Sequence, residues 1–216
     1  MTESLFVNYI CFYINFKIII SIYLMYTNIS RKNTMNEVCI NHSPNMAIEK
    51  FYDEEFYDWF RGFCDAESNF TIRIRKKENG DIRGFEFLFR ISLHIDDLEI
   101  LKKILNKLNC GKIIRDRNTY TYLIYTLRDI ETIVIPLFNE WPLMTKKYLY
   151  FRDFKNSFYL FKKRQIQKVN REIYNLEILK LKSGMNDKRI NFFIPENHVK
   201  ITANYLLGYI EGDGSF

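Results

Sequence analysis

The chain has little of what builds a disulfide or zinc framework. Its four cysteines, Cys11, Cys39, Cys64 and Cys110, are far apart and form no Cys-x-x-Cys pair. The histidines His42, His94 and His198 do not cluster near them, so the spacing gives neither a disulfide scaffold nor a zinc site. Basic residues are scarce at the N-terminus, where Lys17 stands alone before residue 31. The pattern of an Arg-rich transit signal is therefore not met, and the apolar run Leu5 to Tyr26, LFVNYICFYINFKIIISIYLMY, is too long for a signal-peptide core. It has about the ~20 residues of a membrane-spanning helix, but Asn8, Asn15 and Lys17 interrupt it. Leu5 to Ser30 also lacks a clean period of 2 or 3.6. Ile, Tyr, Phe, Asn and Lys are residues of A/T-only codons, so the second reading is translated flank, with Met35 or Met46 starting the folded protein. Membrane segment and flank stand level, both ahead of a packed domain.

What the chain does have is positive charge and apolar content. Lys and Arg number 32 against 26 Asp and Glu, for a net charge of +6 and a pI near 9.0. That balance suits a polyanionic partner, although an ordinary basic soluble protein has it too. With 47% hydrophobic residues, 216 residues suffice for one large packed domain or two small ones.

From Phe51 the text becomes periodic. FYDEEFYDWFRGFCDA puts Phe56, Trp59, Phe60 and Phe63 at helical spacing. NFTIRIRKKENGDIRGFEFLFRISL alternates, with Ile72 and Ile74 on one face, Thr71, Arg73, Arg75 and Lys77 on the other, and Asn79-Gly80 at the turn of a hairpin. IDDLEILKKILNKLN predicts a second helix capped by Asp96 or Asp97, with a stripe of Leu98, Leu101, Leu105 and Leu108, ending at Gly111. KIIRDRN and YTYLIYTLR predict a second hairpin. Pro136 and Pro142 then bracket a short helical or irregular segment, and TKKYLYFRDFKNSFYLFKKRQI predicts a long helix with a basic face. This order predicts an α+β domain: αββαββα, with a four-stranded antiparallel sheet, helices on one face, and the other face left to solvent or a ligand. REIYNLEILKLKSG reads as a helix stopped at Ser183-Gly184, followed by a linker.

Near the C-terminus LLGYIEGDGSF restates FRGFCDAESNF. Gly62 matches Gly208, Ala66 matches Gly212, Asp65 matches Glu211, Glu67 matches Asp213 and Phe70 matches Phe216, an internal repeat of about 146 residues. Small residues four apart lie on one helical face and let another backbone approach, so Gly62/Ala66 and Gly208/Gly212 predict that the two helices pack on each other. Glu67 and Asp213 would fall at helix C-termini, where the macrodipole is already negative. If the helices pair, the two carboxylates meet at one tip, and close like charges need a proton or a metal. Hard divalent ions with oxygen ligands, Mg²⁺ foremost, fit such a pair, and the chemistry they bring is phosphodiester hydrolysis.

FRGFCDAESNF and LLGYIEGDGSF resemble the two signature helices of the LAGLIDADG homing endonucleases. The resemblance runs from about Phe51 to Phe216 and takes in HIDDLEILKKILNKLNCGKI, WPLMTKKYLYFRDF and LKLKSGMNDKR, which read like organellar intron-encoded members. It implies paired helices between two sheet domains, with Glu67 and Asp213 as ligands of the catalytic Mg²⁺ or Mn²⁺. Ser68 and Asn69 depart from the usual Gly in the first copy, whereas the second keeps Gly214 for a left-handed cap. Asp65 and Glu211 are expected to cap or orient neighbours.

In this family the sheet forms a saddle that grips DNA in the major groove. Thr71, Arg73, Arg75 and Lys77, joined by Arg83 and Arg90, become the expected DNA-contacting residues, against the alternative of a solvated face. Arg115, Arg117 and Arg128 are further candidates whose facing is open. Lys146 and Lys147 fall where the family places a basic residue near the scissile phosphate, and Lys162, Lys163 and Arg164 are candidates to track phosphate.

The implied function is a site-specific, metal-dependent endonuclease making double-strand breaks in DNA, encoded in an intron and acting in mitochondria. An RNA-binding intron maturase on the same fold, with its own intron RNA as partner, is the alternative, and an inactive remnant the third reading. The expected boundaries are an N-terminal flank at 1–50, a first LAGLIDADG domain at 51–165, a helix and linker at 166–203, and the start of a second domain at 204–216. A chain that stopped there would need a second half-domain, a split partner or a homodimer to grip a whole site.

Overall fold

The computed structural model describes residues 53–167, 171–186, 189–194 and 200–213, all within the unit Ala47–Phe216. The expectations for residues 1–50 and for the Gly214 cap lie outside them.

Helix α1 (Glu54–Glu67) starts where Asp53 accepts the Phe56 N–H at 3.1 Å, with Glu54 and Glu55 favourably placed in the first turn. It runs directly into β1 (Ser68–Lys76), which turns back into β2 (Ile82–His94). A 3₁₀ turn at Ile95–Asp97 leads to α2 (Leu98–Leu108), and the second hairpin is β3 (Lys112–Asp116) and β4 (Thr119–Ile124). A helical turn at Leu127–Asp129 and a π-helical stretch at Ile130–Val134 precede α3 (Ile135–Glu140). Then follow α4 (Lys147–Ile166), α5 (Arg171–Ser183) and α6 (Ala203–Asp213).

The four strands form one antiparallel sheet in the order β1-β2-β4-β3, the α+β architecture expected from the pattern. Alternation decides its two faces. Phe70, Ile72, Phe85, Phe87, Phe89, Ile91, Tyr122 and Ile124 all point to the helix side and are buried. Helices α3 and α4 meet them with aromatic rings: Phe138 stands edge-on to Phe70 at 5.4 Å, and Phe154 and Phe158 do the same to Phe87 at 5.4 and 5.3 Å. Each such side chain contributes about 1.5–3 kcal/mol by burial, so this layer fixes the sheet as a rigid platform.

Three local expectations are corrected. The α2 stripe is Leu101, Ile104 and Leu108, with Leu105 only partly buried. Asp97 sits at its N-cap without a side-chain cap bond, and Asn109, in the left-handed conformation at φ 50°, ends it two residues before Gly111. Pro136 lies inside the first turn of α3 rather than bracketing it, at the junction where the π-helical stretch runs into α3.

Candidate active site

Helix α6 lies along α1, and glycines set the distance. A Cβ placed on Gly62 would overlap the Tyr205 carbonyl oxygen and stand 3.0 Å from the Tyr209 nitrogen. One on Gly208 would overlap the Trp59 carbonyl oxygen and stand 2.9 Å from the Phe63 nitrogen. One on Gly212 would run into the Cβ of Ala66 and stand 3.2 Å from the Cγ of Glu67. The backbones therefore touch, as only small residues permit.

Reciprocal polar bonds match this packing. The Trp59 indole N–H donates to Glu211 at 2.7 Å, and the Tyr205 hydroxyl donates to Asp65 at 3.0 Å. Trp59 and Tyr205 occupy matching places in the repeat, as do Asp65 and Glu211. At the start of α6, Thr202 hydrogen-bonds the buried Asp58, which also holds Arg61 at 2.6 Å, and Arg61 donates to the Lys200 carbonyl at 3.1 Å. Thr202 accepts the Tyr205 N–H at 3.1 Å as an N-cap.

Glu67 and Asp213 end their helices side by side. Burial pushes the Glu67 carboxyl above its ordinary value, Lys147 opposes that rise, and the negative charges of Asp213 and Asp97 add to it. Asp213 is exposed and accepts a hydrogen bond from the Tyr209 hydroxyl. Two hard carboxylates at two helix C-termini, one raised chiefly by burial, form an oxygen donor pair suited to a small divalent cation. No group of three or more His, Cys, Asp or Glu side chains that could hold a metal occurs among the described residues. Water and phosphate oxygens would have to complete the coordination of any ion held by Glu67 and Asp213.

The two lysine candidates part company. Lys147 turns inward: its ammonium donates to the Cys64 carbonyl at 3.2 Å and to the Ala66 carbonyl, beside Glu67, and burial lowers its pKa. Lys146, at the N-cap position of α4, is exposed. Asp65 is buried and accepts the Met144 N–H at 2.7 Å and the Thr145 N–H and hydroxyl at 3.2 and 2.6 Å. Ser68, where Gly is usual, closes α1: its amide and its hydroxyl both bond the Cys64 carbonyl, the latter at 2.7 Å.

The sheet face away from the helices starts at the same place. Asn69, Thr71, Arg73 and Arg75 of β1 share it, facing Arg90, Leu88, Glu86 and Gly84 of β2. Arg90 donates to the Thr71 hydroxyl at 3.2 Å, and its Nε is buried without a partner among the described residues. Burial and then the charge of Arg73 lower the Arg90 pKa. Arg75 reaches Glu86 at 3.5 Å, an exposed pair of little energetic weight.

Lys77, Arg83, Arg115 and Arg117 do not join this face. The register shifts after Arg75, so that Lys76 pairs with Ile82 and Arg83 becomes the extra residue of a bulge. Lys77 lies in the turn, since β1 ends at Lys76; there it meets Asp81 at 3.8 Å, and Arg83 is exposed at the same tip. Arg115 pairs across the sheet with Tyr120, which puts it on the helix side with its guanidinium 5.9 Å over that ring. Lys112, Ile114 and Asp116 take the open face instead. Arg117 turns the hairpin at φ 51°, and Arg128 is exposed beyond the sheet. Arg164 is buried, donating to Asn175 at 2.6 Å and to the Arg83 carbonyl at 3.4 Å, while Lys162 pairs with Glu131 at 2.9 Å; both are committed to structure.

Glu86, Lys112 and Thr121 on the open face, and Tyr205 at the helix pair, were not singled out from sequence, whereas Tyr209 was expected there only as an apolar residue covered by docking on Gly62 and Ala66. Strict alternation carried through β2 and β4 would have found Glu86 and Thr121, and the pairing of β3 with β4 adds Lys112. The repeat alignment, extended to Trp59/Tyr205 and Phe63/Tyr209, would have found the tyrosines.

Residues 60–158 match the LAGLIDADG endonuclease family. Among curated proteins the chain is similar to the uncharacterized mitochondrial protein RF1 of Saccharomyces cerevisiae, 28% identical over 76% of this chain and 32% of that one. It is also similar to the probable intron-encoded endonuclease Cox1-I1b of Schizosaccharomyces pombe, 29% identical over 74% of this chain and 41% of that one. The chain thus spans well under half the length of these relatives. Among solved structures it resembles the LAGLIDADG homing endonuclease I-GzeII in complex with its DNA target, with a TM-score of 0.64 and 26% identity, over 72% of this chain and 58% of that one. The paired signature helices, the four-stranded sheet beside them and these similarities together make the LAGLIDADG homing endonucleases the family that this chain resembles.

Proposed function

We propose that this chain hydrolyses phosphodiester bonds of double-stranded DNA at a long specific site, using Mg²⁺ or Mn²⁺, and that it works in mitochondria as an intron-encoded nuclease. The observation that carries this reading is the meeting of Glu67 and Asp213 at the tip of two helices in backbone contact. The mitochondrial setting is supported by the relatives.

What a bound divalent ion supplies there is polarisation of the scissile phosphate and an activated water. Everything else falls to the chain. Glu67 and Asp213 would hold the ion, and Tyr209 would orient the Asp213 carboxylate. Lys147, beside Glu67, sets a fixed positive charge close to where negative charge develops on the phosphate. Arg73, Arg75 and Arg90 would meet phosphates or guanine edges along the open sheet. The mutual repulsion of Arg90 and Arg73 is of the kind a bound anion relieves.

The test is selection of cut sites from a randomised double-stranded DNA library with Mg²⁺. Wild type should enrich one long site, and Glu67→Gln should retain DNA while failing to cut it. Cutting by Glu67→Gln at the wild-type rate would overturn the reading.

A further inference from the structure

We propose that Asp65 is a positioning residue: it fastens the turn that carries Lys147 to the second signature helix, so that Lys147 reaches its place beside Glu67 only when α6 is docked. This rests on the endonuclease reading for its consequence in the reaction, but its geometry stands apart from it.

Asp65 is two residues from the end of α1, 4% exposed, and gathers three elements. One oxygen accepts the Met144 N–H at 2.7 Å and the Tyr205 hydroxyl at 3.0 Å. The other accepts the Thr145 N–H at 3.2 Å and its hydroxyl at 2.6 Å. Thr145 in turn accepts the Lys147 N–H at 3.2 Å, starting α4. Lys147 then runs back so that its ammonium bonds the Cys64 and Ala66 carbonyls on either side of Asp65 in sequence. Both carbonyls lie at the end of α1; that of Cys64 also accepts the Ser68 N–H and hydroxyl, whereas that of Ala66 is among the last acceptors of the helix, which lack helical donors.

Each link has a reason. A buried carboxylate must be met by donors, and Asp65 has four of them. Three come from the turn before α4, which is thereby fixed against α1. The fourth comes from α6, and if that helix lifts away, the carboxylate loses its Tyr205 donor and gains water. Charge-assisted hydrogen bonds of this kind are the strong ones, so the turn and α6 support each other through one side chain. The matching bond in the other direction, Trp59 to Glu211, joins only α1 and α6. The repeat is symmetric in its helix contact, and among the described residues it is Asp65 that uses that contact to hold a cation at the site.

The test reads Lys147 directly, by proton-detected NMR of the full chain labelled with ¹⁵Nζ-lysine. An ammonium held by backbone carbonyls exchanges its protons slowly and gives a resonance, assigned by its loss in Lys147→Met. Wild type should show it. Thr145→Val and Tyr205→Phe, each removing one donor to Asp65, should raise its proton exchange by about tenfold, the effect of one lost hydrogen bond to a charged group. Thr145→Ser, which keeps the hydroxyl, should behave as wild type. The Trp59 indole resonance, retained in all of them, reports that the fold is intact.

On DNA, Tyr205→Phe should slow cutting at saturating Mg²⁺ without weakening DNA binding. Unchanged Lys147 exchange in both Thr145→Val and Tyr205→Phe would overturn the proposal, as would absence of the resonance in wild type. A wild type that shows the predicted exchange pattern but never cuts DNA would contradict the endonuclease reading alone.

Discussion

Glu67 shows how one side chain registers its whole surroundings. Its folded pKa is raised, first by burial, so the protonated form is favoured in the fold. The linkage sign follows: this contribution to stability is fully present below the unfolded carboxylate value and is lost as pH rises through the folded one. At neutral pH the ionised Glu67 is therefore a local cost in the metal-free protein. Without metal at pH 7, Glu67→Gln should melt higher than wild type. Addition of Mg²⁺ should reverse the order, since a ligand at a hundred times its Kd stabilises by about 2.7 kcal/mol and the variant forfeits that gain. A lower melting temperature for metal-free Glu67→Gln would contradict the reading of its surroundings. Arg73 and Arg75 allow a second residue-scale prediction. If each meets a phosphate, each Ala substitution should lower DNA affinity and reduce the slope of log K against log salt by about 0.9. An unchanged slope would remove that residue from the DNA face.

At the scale of elements, the packing of α1 on α6 is the most sensitive joint. Gly208→Ala drives a methyl into the Trp59 carbonyl, and the helices must separate; overpacking against backbone should cost about 3 kcal/mol, the upper end of the usual range. Gly84→Ala on β2 has nothing within 4 Å and should leave the melting temperature nearly unchanged. Equal effects of the two, measured by thermal unfolding, would mean that close helix contact is not what Gly208 provides. Elements were also where the sequence was most legible. Phe56, Trp59, Phe60 and Phe63 at helical spacing and Ile72 between Thr71 and Arg73 announce their faces by period alone. The bulge at Arg83 was not legible, because it depends on how the turn from Lys77 to Asp81 closes, with the Lys77 N–H on the Asp81 carbonyl at 2.8 Å. Lys77 leaves the face alternation assigned to it because β1 ends at Lys76, where the turn begins. Arg115 escaped for the same reason, since the register against Tyr120 is set by pairing and not by period.

For the whole molecule, the repeat tied together what lay far apart in sequence. Gly62 and Gly208 could be matched on paper, and with them Glu67 and Asp213, because two copies of one pattern constrain each other. Lys147 could be narrowed only to a pair with Lys146. Its acceptors are carbonyls of Cys64 and Ala66, and backbone acceptors at a distant helix end leave no mark in the side-chain sequence. The proposed site thus combines the ends of α1 and α6, the start of α4 and the open sheet face that begins at Asn69. The measurement that tests it most directly is Mn²⁺ binding to the full chain, followed by electron paramagnetic resonance, in wild type, Glu67→Gln and Asp213→Asn. We expect wild type to bind the ion, and each substitution alone to weaken binding by at least about tenfold, a change of about 1.4 kcal/mol. Binding of Mn²⁺ with wild-type affinity by either variant would contradict a metal site built from these two carboxylates.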